Sequence, residues 1–169
     1  GLPGTVGGAI YMNSKWTHPE GYVGDVVYQA EILTSKNERQ MVPKSYFHFG
    51  YDSSSIQKTG DIVLRVVFTL RQGNKEKLWE SANAAIVYRR QSQPQGVFSP
   101  GCTFRNITKA QAMTAATPEG TTSAGFLIDH AGLKGATFGG AQISTVHANF
   151  ISNLGKARAS DVVQLIDRA

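Results

Sequence analysis

The chain has 169 residues, 41% hydrophobic and 17% charged, so it can bury a core as one large domain or two small ones. Seventeen Lys and Arg residues against 12 Asp and Glu residues give a net charge of +5, which suits phosphate-bearing ligands, while scattered basic residues without an aromatic-rich basic stripe argue against nucleic acid. No apolar run approaches the ~20 residues of a membrane span, the single cysteine excludes an intrachain disulfide, and no Cys/His cluster has zinc-ligand spacing.

The first 70 residues predict a loop, a short helix and two strands. Residues 1–14 hold closely spaced glycines and then an apolar run, which indicates a tight loop leading into a short helix. β-Branched residues with partial alternation predict strands over Val23–Leu33 and Ile62–Leu70 of a partly covered sheet. Residues 47–55 between them are too rich in serine and glycine for a regular element.

A helix and a domain boundary are predicted near the middle of the chain. Gly73-Asn74 is a start signal, and helix formers follow over Lys75–Arg90. One face of this helix is apolar and consists of Leu78, Ala82, Ala85 and Ile86. Residues 91–101 are rich in Pro and Gly, so we place a boundary there and divide the chain into residues 1–94 and 95–169.

The second part predicts short strands and helices, which gives the chain an α+β character. Residues 107–122 are polar and predict a surface loop with one irregular turn, and Ser160 is a natural N-cap for a last helix through Ile166. The other predicted elements are a short strand at Thr103-Phe104, a helix over Ser123–Ala131 closed by Gly132, and strands at Ala141–Ser144 and Phe150–Asn153.

The segment Gly4-Thr5-Val6-Gly7-Gly8 lacks the spacing of a Rossmann dinucleotide-binding turn. Glycines before a helix let backbone amides approach a pyrophosphate without Cβ clashes. An ordinary tight turn is the commoner explanation of such a motif when the residues are taken alone.

The only thiol, Cys102, stands between a Pro-Gly turn and the pair Arg105-Asn106. Most lone cysteines are small buried hydrophobes. A thiol is nevertheless mostly protonated near neutrality and is a far stronger acid than an alcohol, so Cys102 is also a candidate proton donor.

Three segments together resemble one family. They are Gly1–Ala9, Ser99–Asn106 and Gly139–Ile151, and they resemble the flavoenzyme family of UDP-N-acetylenolpyruvoylglucosamine reductase over the full length of the chain. The resemblance implies the second half of a flavin-binding α+β domain, followed by a small α+β substrate-binding domain. It also implies FAD and NADPH as cofactors, a UDP-sugar substrate, a cytoplasmic enzyme, and UDP-N-acetylmuramate as the product for peptidoglycan synthesis. The sequence leaves the oligomeric state open, and a monomer is expected.

The resemblance also implies roles for individual residues. Cys102 stands where the family normally has a serine that donates a proton to the substrate. Gly4, Thr5, Val6, Gly7 and Gly8 match the segment that lines the flavin. The residues that match substrate-side positions are Tyr51, Arg90, Gln93, Arg105, Asn106 and His147.

The sequence departs from the family at Asp52, where an arginine normally follows the tyrosine and stabilises an enolate. A carboxylate would repel that intermediate, so either another cation such as Arg65 or Arg105 serves, or activity is reduced. The family's first flavin-binding part is expected before Gly1 and its catalytic glutamate after Ala169, so the chain alone is expected to be inactive. A non-catalytic UDP-sugar or flavin-binding remnant is the alternative.

Overall fold

The computed structural model describes residues 4–17 and 20–169, and the chain divides into two compact units at Ala85/Ile86. The first unit holds helices α1 (Val6–Met12) and α2 (Ile56–Thr59), strands β1 to β5, and 3-10 turns at Val23–Val26 and Lys44–Phe47. The strands are β1 (Lys15–Thr17), β2 (Glu20–Tyr22), β3 (Val27–Leu33), β4 (Arg39–Pro43) and β5 (Ile62–Phe68). β1 pairs with β2, and β3 is the centre of an antiparallel β4-β3-β5 sheet.

The core of the first unit lies between this sheet and α1. Its buried residues are Ile10, Val27, Ala30, Ile32, Val42, Phe47 and Ile56. Strand β5 carries a bulge, because Glu31 pairs with Arg65 whereas Ile32 pairs with Val63, so that Leu64 is the extra residue. The bulge shifts the phase of the strand: Val63 packs on the core before it, and Val66 packs on the core after it.

Helix α3 (Lys75–Ser92) follows β5 and crosses from one unit into the next. Its start is as predicted, because the side chain of Asn74 accepts a hydrogen bond from the Lys77 amide at 2.9 Å. The predicted apolar face is buried only at Ala85, whereas Leu78 and Ile86 are exposed.

The second unit holds α4 (Lys109–Thr114), α5 (Ala124–His130) and α6 (Ala159–Arg168), with a 3-10 turn at Pro118–Gly120. Its sheet has the antiparallel order β6 (Thr137–Phe138), β7 (Ala141–Ile143) and β8 (Ile151–Asn153). The core consists of Ile128, Ala141, Ile143, Ala148, Ile151 and Leu165.

Helix α6 begins where the β6–β7 turn approaches it closely. A Cβ on Gly140 would lie 2.5 Å from the backbone nitrogen of Ala157, so only glycine fits there. Asp161 joins the two segments by accepting hydrogen bonds from the amides of Arg158 and Gly140, at 3.0 and 3.1 Å. These bonds lower the pKa of the Asp161 carboxyl, the Arg158 amide contributing most.

The α+β class is confirmed, and four local expectations are corrected in residues 4–17 and 20–169. Val23–Val26 is a 3-10 turn and not strand, because Asp25 accepts a hydrogen bond from the Tyr22 amide at 2.8 Å and closes the turn. Helix α6 begins at Ala159, so Ser160 is not its N-cap. The other two corrections concern residues 103–104 and 107–122.

Residues 107–122 contain the regular helix α4 instead of only a loop, because Thr108 and Gln111 form a reciprocal capping box with distances of 2.8 and 3.2 Å. Thr103-Phe104 is not a strand, and the strand-like pairing beside it is an isolated antiparallel bridge between Cys102 and Phe150. Among the helices described in both units, none has the length and apolar character to cross a bilayer. The boundary near residue 95 stays a prediction.

Candidate functional site

Thr5 is the N-cap of α1, and the start of this helix is exposed. Its side chain accepts a hydrogen bond from the Gly8 amide at 3.0 Å, and its carbonyl accepts one from the Ala9 amide at the same distance. The amides of Val6 and Gly7 come earlier in the helix and have no intrahelical carbonyl to bind. Gly4, Thr5, Val6 and Gly8 are exposed, so this predicted cofactor segment faces outward.

Of the two glycines inside α1, Gly7 is not required by the packing of the chain, whereas Gly8 lies close to the side chain of the N-cap Thr5. A Cβ on Gly7 would lie 3.8 Å from Val63, an ordinary contact, and one on Gly8 would lie 3.3 Å from the Thr5 hydroxyl. Glycine costs about 1 kcal/mol relative to alanine within a helix. The absence of side chains at Gly7 and Gly8 leaves the backbone at the start of α1 approachable from outside.

The turn that carries Tyr51 is held at the other end of α1. The side chain of Asn13 donates to the Gly50 carbonyl at 2.9 Å, and the Ser54 hydroxyl donates to the Tyr11 carbonyl at 2.7 Å. Tyr51 itself is exposed. A seven-residue helix is about 10 Å long, so the structure places Tyr51 and the glycine segment at opposite ends of one short element.

Asp52 has a left-handed backbone conformation, with φ of 48°, which Asp tolerates better than most residues. Its carbonyl accepts a hydrogen bond from the Gln57 side chain at 3.1 Å. In the described parts of the chain its carboxylate makes no ion pair. Arg65, one candidate for a substitute cation, lies 3.8 Å from the Glu31 carboxylate across the β3–β5 pair.

Cys102 is exposed and lies in a short extended segment held against the loop before β8. The Thr103 amide donates to the Asn149 carbonyl at 2.7 Å. The Asn149 side chain then pairs with both backbone groups of Phe104: its Oδ1 accepts from the amide and its Nδ2 donates to the carbonyl, each at 2.8 Å. The position of Cys102 is therefore restrained by the hydrogen bonds that Asn149 makes with the backbone of the two residues after it.

Asn106 links the same segment to helix α5. Its side-chain oxygen accepts a hydrogen bond from the Ala124 amide at 3.1 Å, beside the N-cap Ser123, which accepts from Phe126 at 3.2 Å. Arg105 is exposed between the thiol and this helix start. Cys102, Arg105 and Asn106 are thus exposed residues of one short segment of the second unit.

His147 lies in the loop before β8 and is half-buried against helix α5. Its Nδ1 accepts a hydrogen bond from the Asn149 amide at 3.2 Å, and its ring lies 5.1 Å from the ring of Phe150. Burial lowers the pKa of the imidazole, and the nearby Lys134 charge adds to this effect, so the neutral ring that can accept at Nδ1 is favoured. Gly125 makes room for the ring, since a Cβ there would lie 2.7 Å from Cε1.

The remaining predicted substrate-side residues lie near the end of α3. Arg90 is exposed in the last turn of the helix, and the Gln93 amide donates to the Arg89 carbonyl at 3.1 Å just beyond it. Asn149 and Gly125 were not singled out from the sequence. Asn149 stands inside the motif that contains His147, but its partner Phe104 is 45 residues away, so no local pattern reveals the pairing.

The chain is similar to known proteins over nearly its whole length. Residues 93–169 match the family described as UDP-N-acetylenolpyruvoylglucosamine reductase, C-terminal domain. Curated proteins named UDP-N-acetylenolpyruvoylglucosamine reductase match 98% of this chain, at 38% identity in Clostridium beijerinckii and 40% in Chlamydia pneumoniae. The chain spans about half the length of these relatives, 50% and 49% respectively.

A solved structure agrees with this. The crystal structure of UDP-N-acetylenolpyruvylglucosamine reductase from Thermus caldophilus superposes with a TM-score of 0.81 at 36% identity, covering 99% of this chain and 56% of that one. The comparison defines an α+β protein with the fold of a reductase. Its family is that of UDP-N-acetylenolpyruvoylglucosamine reductase, which confirms the resemblance seen in the sequence, and residues 93–169 carry the C-terminal domain of that family.

Proposed function

We propose that the protein carrying this chain reduces UDP-N-acetylglucosamine enolpyruvate to UDP-N-acetylmuramate in peptidoglycan precursor synthesis, as a monomeric cytoplasmic enzyme that uses FAD and NADPH. The observation that supports this most is the match to reductases of that name over 98% of the chain. The exposed Cys102 on an anchored segment adds a group with the chemistry that the reaction requires.

Cys102 is proposed as the proton donor. Hydride addition to the enolpyruvyl double bond leaves an enolate on the substrate, and a positioned acid must protonate it. The thiol is exposed where a substrate can reach it, and Arg105 stands three residues further with a charge suited to a substrate carboxylate or phosphate. Protonation by the thiol would leave a thiolate that later regains its proton from solvent.

The cofactor proposal concerns Gly4, Thr5, Val6, Gly7 and Gly8, which would hold the pyrophosphate of FAD. When bound, the flavin supplies hydride transfer, with NADPH as the source of the electrons. The chain's own contribution is the set of exposed amides at the start of α1 and the absence of side chains at two helical positions.

The absorbance spectrum of the protein expressed from its whole coding sequence tests this proposal. We expect a yellow protein with bound FAD, and we expect Gly8→Val to lose the flavin while keeping its far-UV circular dichroism. Gly21→Ala is the control, because a Cβ at Gly21 meets nothing within 4 Å. A colourless protein that cannot be reconstituted with FAD would refute the assignment.

Tyr51, Arg90, Gln93, Asn106 and His147 are proposed to face the UDP-sugar. For two of them the described contacts limit the role. The Asn106 oxygen already accepts from the start of α5, so its amide nitrogen is the group left to donate to a substrate. The Nδ1 atom of His147 is occupied by the Asn149 amide, which leaves Nε2 as the ring atom that can bind a substrate.

A second candidate function, a non-catalytic remnant that binds UDP-sugar or flavin, is favoured by Asp52. A carboxylate about 4 Å from an enolate would raise its energy by about 4 kcal/mol at an effective dielectric constant near 20. Asp52→Arg separates the two functions when turnover with NADPH and the enolpyruvyl substrate is measured. A gain in turnover supports an impaired site, a loss supports a rearranged active one, and no change places Asp52 outside the site.

A further inference from the structure

Asn149 is almost fully buried, with 3% of its surface exposed, and its polar groups all bind the segment around Cys102 or His147. Its side chain accepts from the amide and donates to the carbonyl of Phe104, both at 2.8 Å. Its own carbonyl accepts from Thr103 at 2.7 Å, and its own amide donates to His147 at 3.2 Å.

The Asn149 side chain supplies hydrogen bonds that a neighbouring strand would otherwise make with Phe104. Residues 103–104 form no regular ladder with the second unit's sheet, and the adjoining contact of Cys102 with Phe150 is an isolated bridge. A side-chain amide that pairs with both backbone groups of one residue imitates the two bonds of a strand pair, and burial makes each bond costly to lose. The Asn149 side chain therefore fixes both backbone groups of Phe104, two residues after the thiol, and adds to the backbone bond from the Thr103 amide.

The loop that presents Asn149 is itself fixed. The Ser144 hydroxyl oxygen accepts from the amides of Val146 and His147 at 3.1 and 3.3 Å, and only 3% of Ser144 is exposed. The neutral imidazole of His147 then accepts from the Asn149 amide. Because these hydrogen bonds hold the loop, movement of Asn149 relative to the sheet is limited. The bonds from Asn149 in turn limit the movement of Phe104.

We propose that Asn149 is the positioning residue of the Cys102 thiol. Its effect on catalysis rests on the proposed function, because it acts only through the thiol as proton donor. Its effect on the geometry of residues 102–104 does not depend on that function and is open to measurement in this chain without cofactor or substrate.

The geometric part is tested by hydrogen exchange of the backbone amides in this chain. Asn149→Ala is expected to speed exchange of the Phe104 amide at least ~10-fold, since that amide loses its acceptor. Asn149→Asp retains the acceptor for the Phe104 amide but loses the donor to the Phe104 carbonyl, so it is expected to keep part of the protection and gives a second variant in case the alanine variant fails to fold. Asn153→Ala is the matched control, because Asn153 accepts from Gly155 and Ala157 at 2.7 and 3.0 Å in the same unit and is expected to leave Phe104 unchanged.

The catalytic part is tested in the protein expressed from its whole coding sequence, with NADPH and UDP-N-acetylglucosamine enolpyruvate. Asn149→Ala is expected to slow flavin reoxidation by the enolpyruvyl substrate at least ~10-fold, to leave reduction by NADPH at the parent rate, and to be partly rescued in Asn149→Asp. A general loss of structure would impair both half-reactions.

Two results would overturn the inference: unchanged Phe104 exchange in Asn149→Ala, or faster exchange accompanied by reoxidation at the parent rate. Failure of the parent protein itself to be reoxidised by the substrate would refute the proposed function instead. In that case the exchange measurement still decides whether Asn149 holds the segment.

Discussion

Gly125 is the point at which helix α5 meets His147, and alanine at this position is expected to destabilise the second unit. A Cβ would lie 2.7 Å from Cε1 and 3.1 Å from Nδ1 of the imidazole. Non-bonded carbon atoms pack at about 3.5–4.0 Å, so the ring has to rotate or shift.

The size of the effect follows from what the ring contacts. Rotation breaks the hydrogen bond from the Asn149 amide, worth about 1 kcal/mol, and the contact with the Phe150 ring, worth about 0.5–1.5 kcal/mol. Alanine gains about 1 kcal/mol over glycine within a helix. The losses exceed the gain, and Gly125→Ala is expected to lower the free energy of unfolding by about 0.5–1.5 kcal/mol.

Urea unfolding followed by far-UV circular dichroism measures this change, and a double-mutant cycle isolates its cause. In a His147→Ala background the clash is gone, so Gly125→Ala is expected to be neutral or stabilising by up to about 1 kcal/mol. Equal destabilisation in both backgrounds would refute the steric explanation. So would stabilisation by Gly125→Ala in the parent chain.

Three further effects are expected. Burial lowers the pKa of His147, so its contribution to stability is fully present above the unfolded value of about 6.5 and is lost as the pH falls through the folded pKa. Urea titrations from pH 5 to 7.5 should show the free energy of unfolding falling with decreasing pH, and His147→Gln should flatten this dependence. The buried hydroxyl of Thr103 has no hydrogen-bond partner among the described residues, so Thr103→Val is expected to raise the free energy of unfolding by up to about 1 kcal/mol, and a loss of more than that would contradict the assignment. Hydrogen bonds from Thr59 and from the Tyr46 hydroxyl, the latter at 2.6 Å, lower the pKa of buried Asp61. Tyr46→Phe is expected to lower the free energy of unfolding by about 1–3 kcal/mol at neutral pH and by less in acid, where the carboxylate is protonated. An equal loss at both pH values would refute this role of the hydrogen bond.

Local signals explain the elements that the sequence predicted well. Asn74 and Ser123 precede helices α3 and α5 and cap them, because their side chains accept from amides of the first turn, and Gly132 follows α5 in the left-handed conformation. Each of these signals lies within a few residues of the helix end. Helix α4 was missed because its polar composition outweighed the equally local capping box at Thr108.

Long-range pairing explains what the sequence did not reveal. The bulge at Leu64 exists only in the pairing of β5 with β3, so alternation along the strand predicted the strand but not the change of phase within it. The segment of Cys102 was found from its motif, but the bond from Asn149 spans 45 residues and Gly125 is defined by a neighbour in another element. The chemistry-bearing residue types were visible in the sequence, and the groups that place them were not.

Flavin reoxidation in Cys102→Ala tests the central claim most directly, in the protein expressed from its whole coding sequence. Reduction of the flavin by NADPH is expected at the parent rate, whereas reoxidation by UDP-N-acetylglucosamine enolpyruvate is expected to slow by roughly 10²-fold or more, the loss typical of a missing general acid. Cys102→Ser is expected to retain activity. Reoxidation of Cys102→Ala at the parent rate in a stopped-flow trace would contradict the assignment of the thiol as the proton donor.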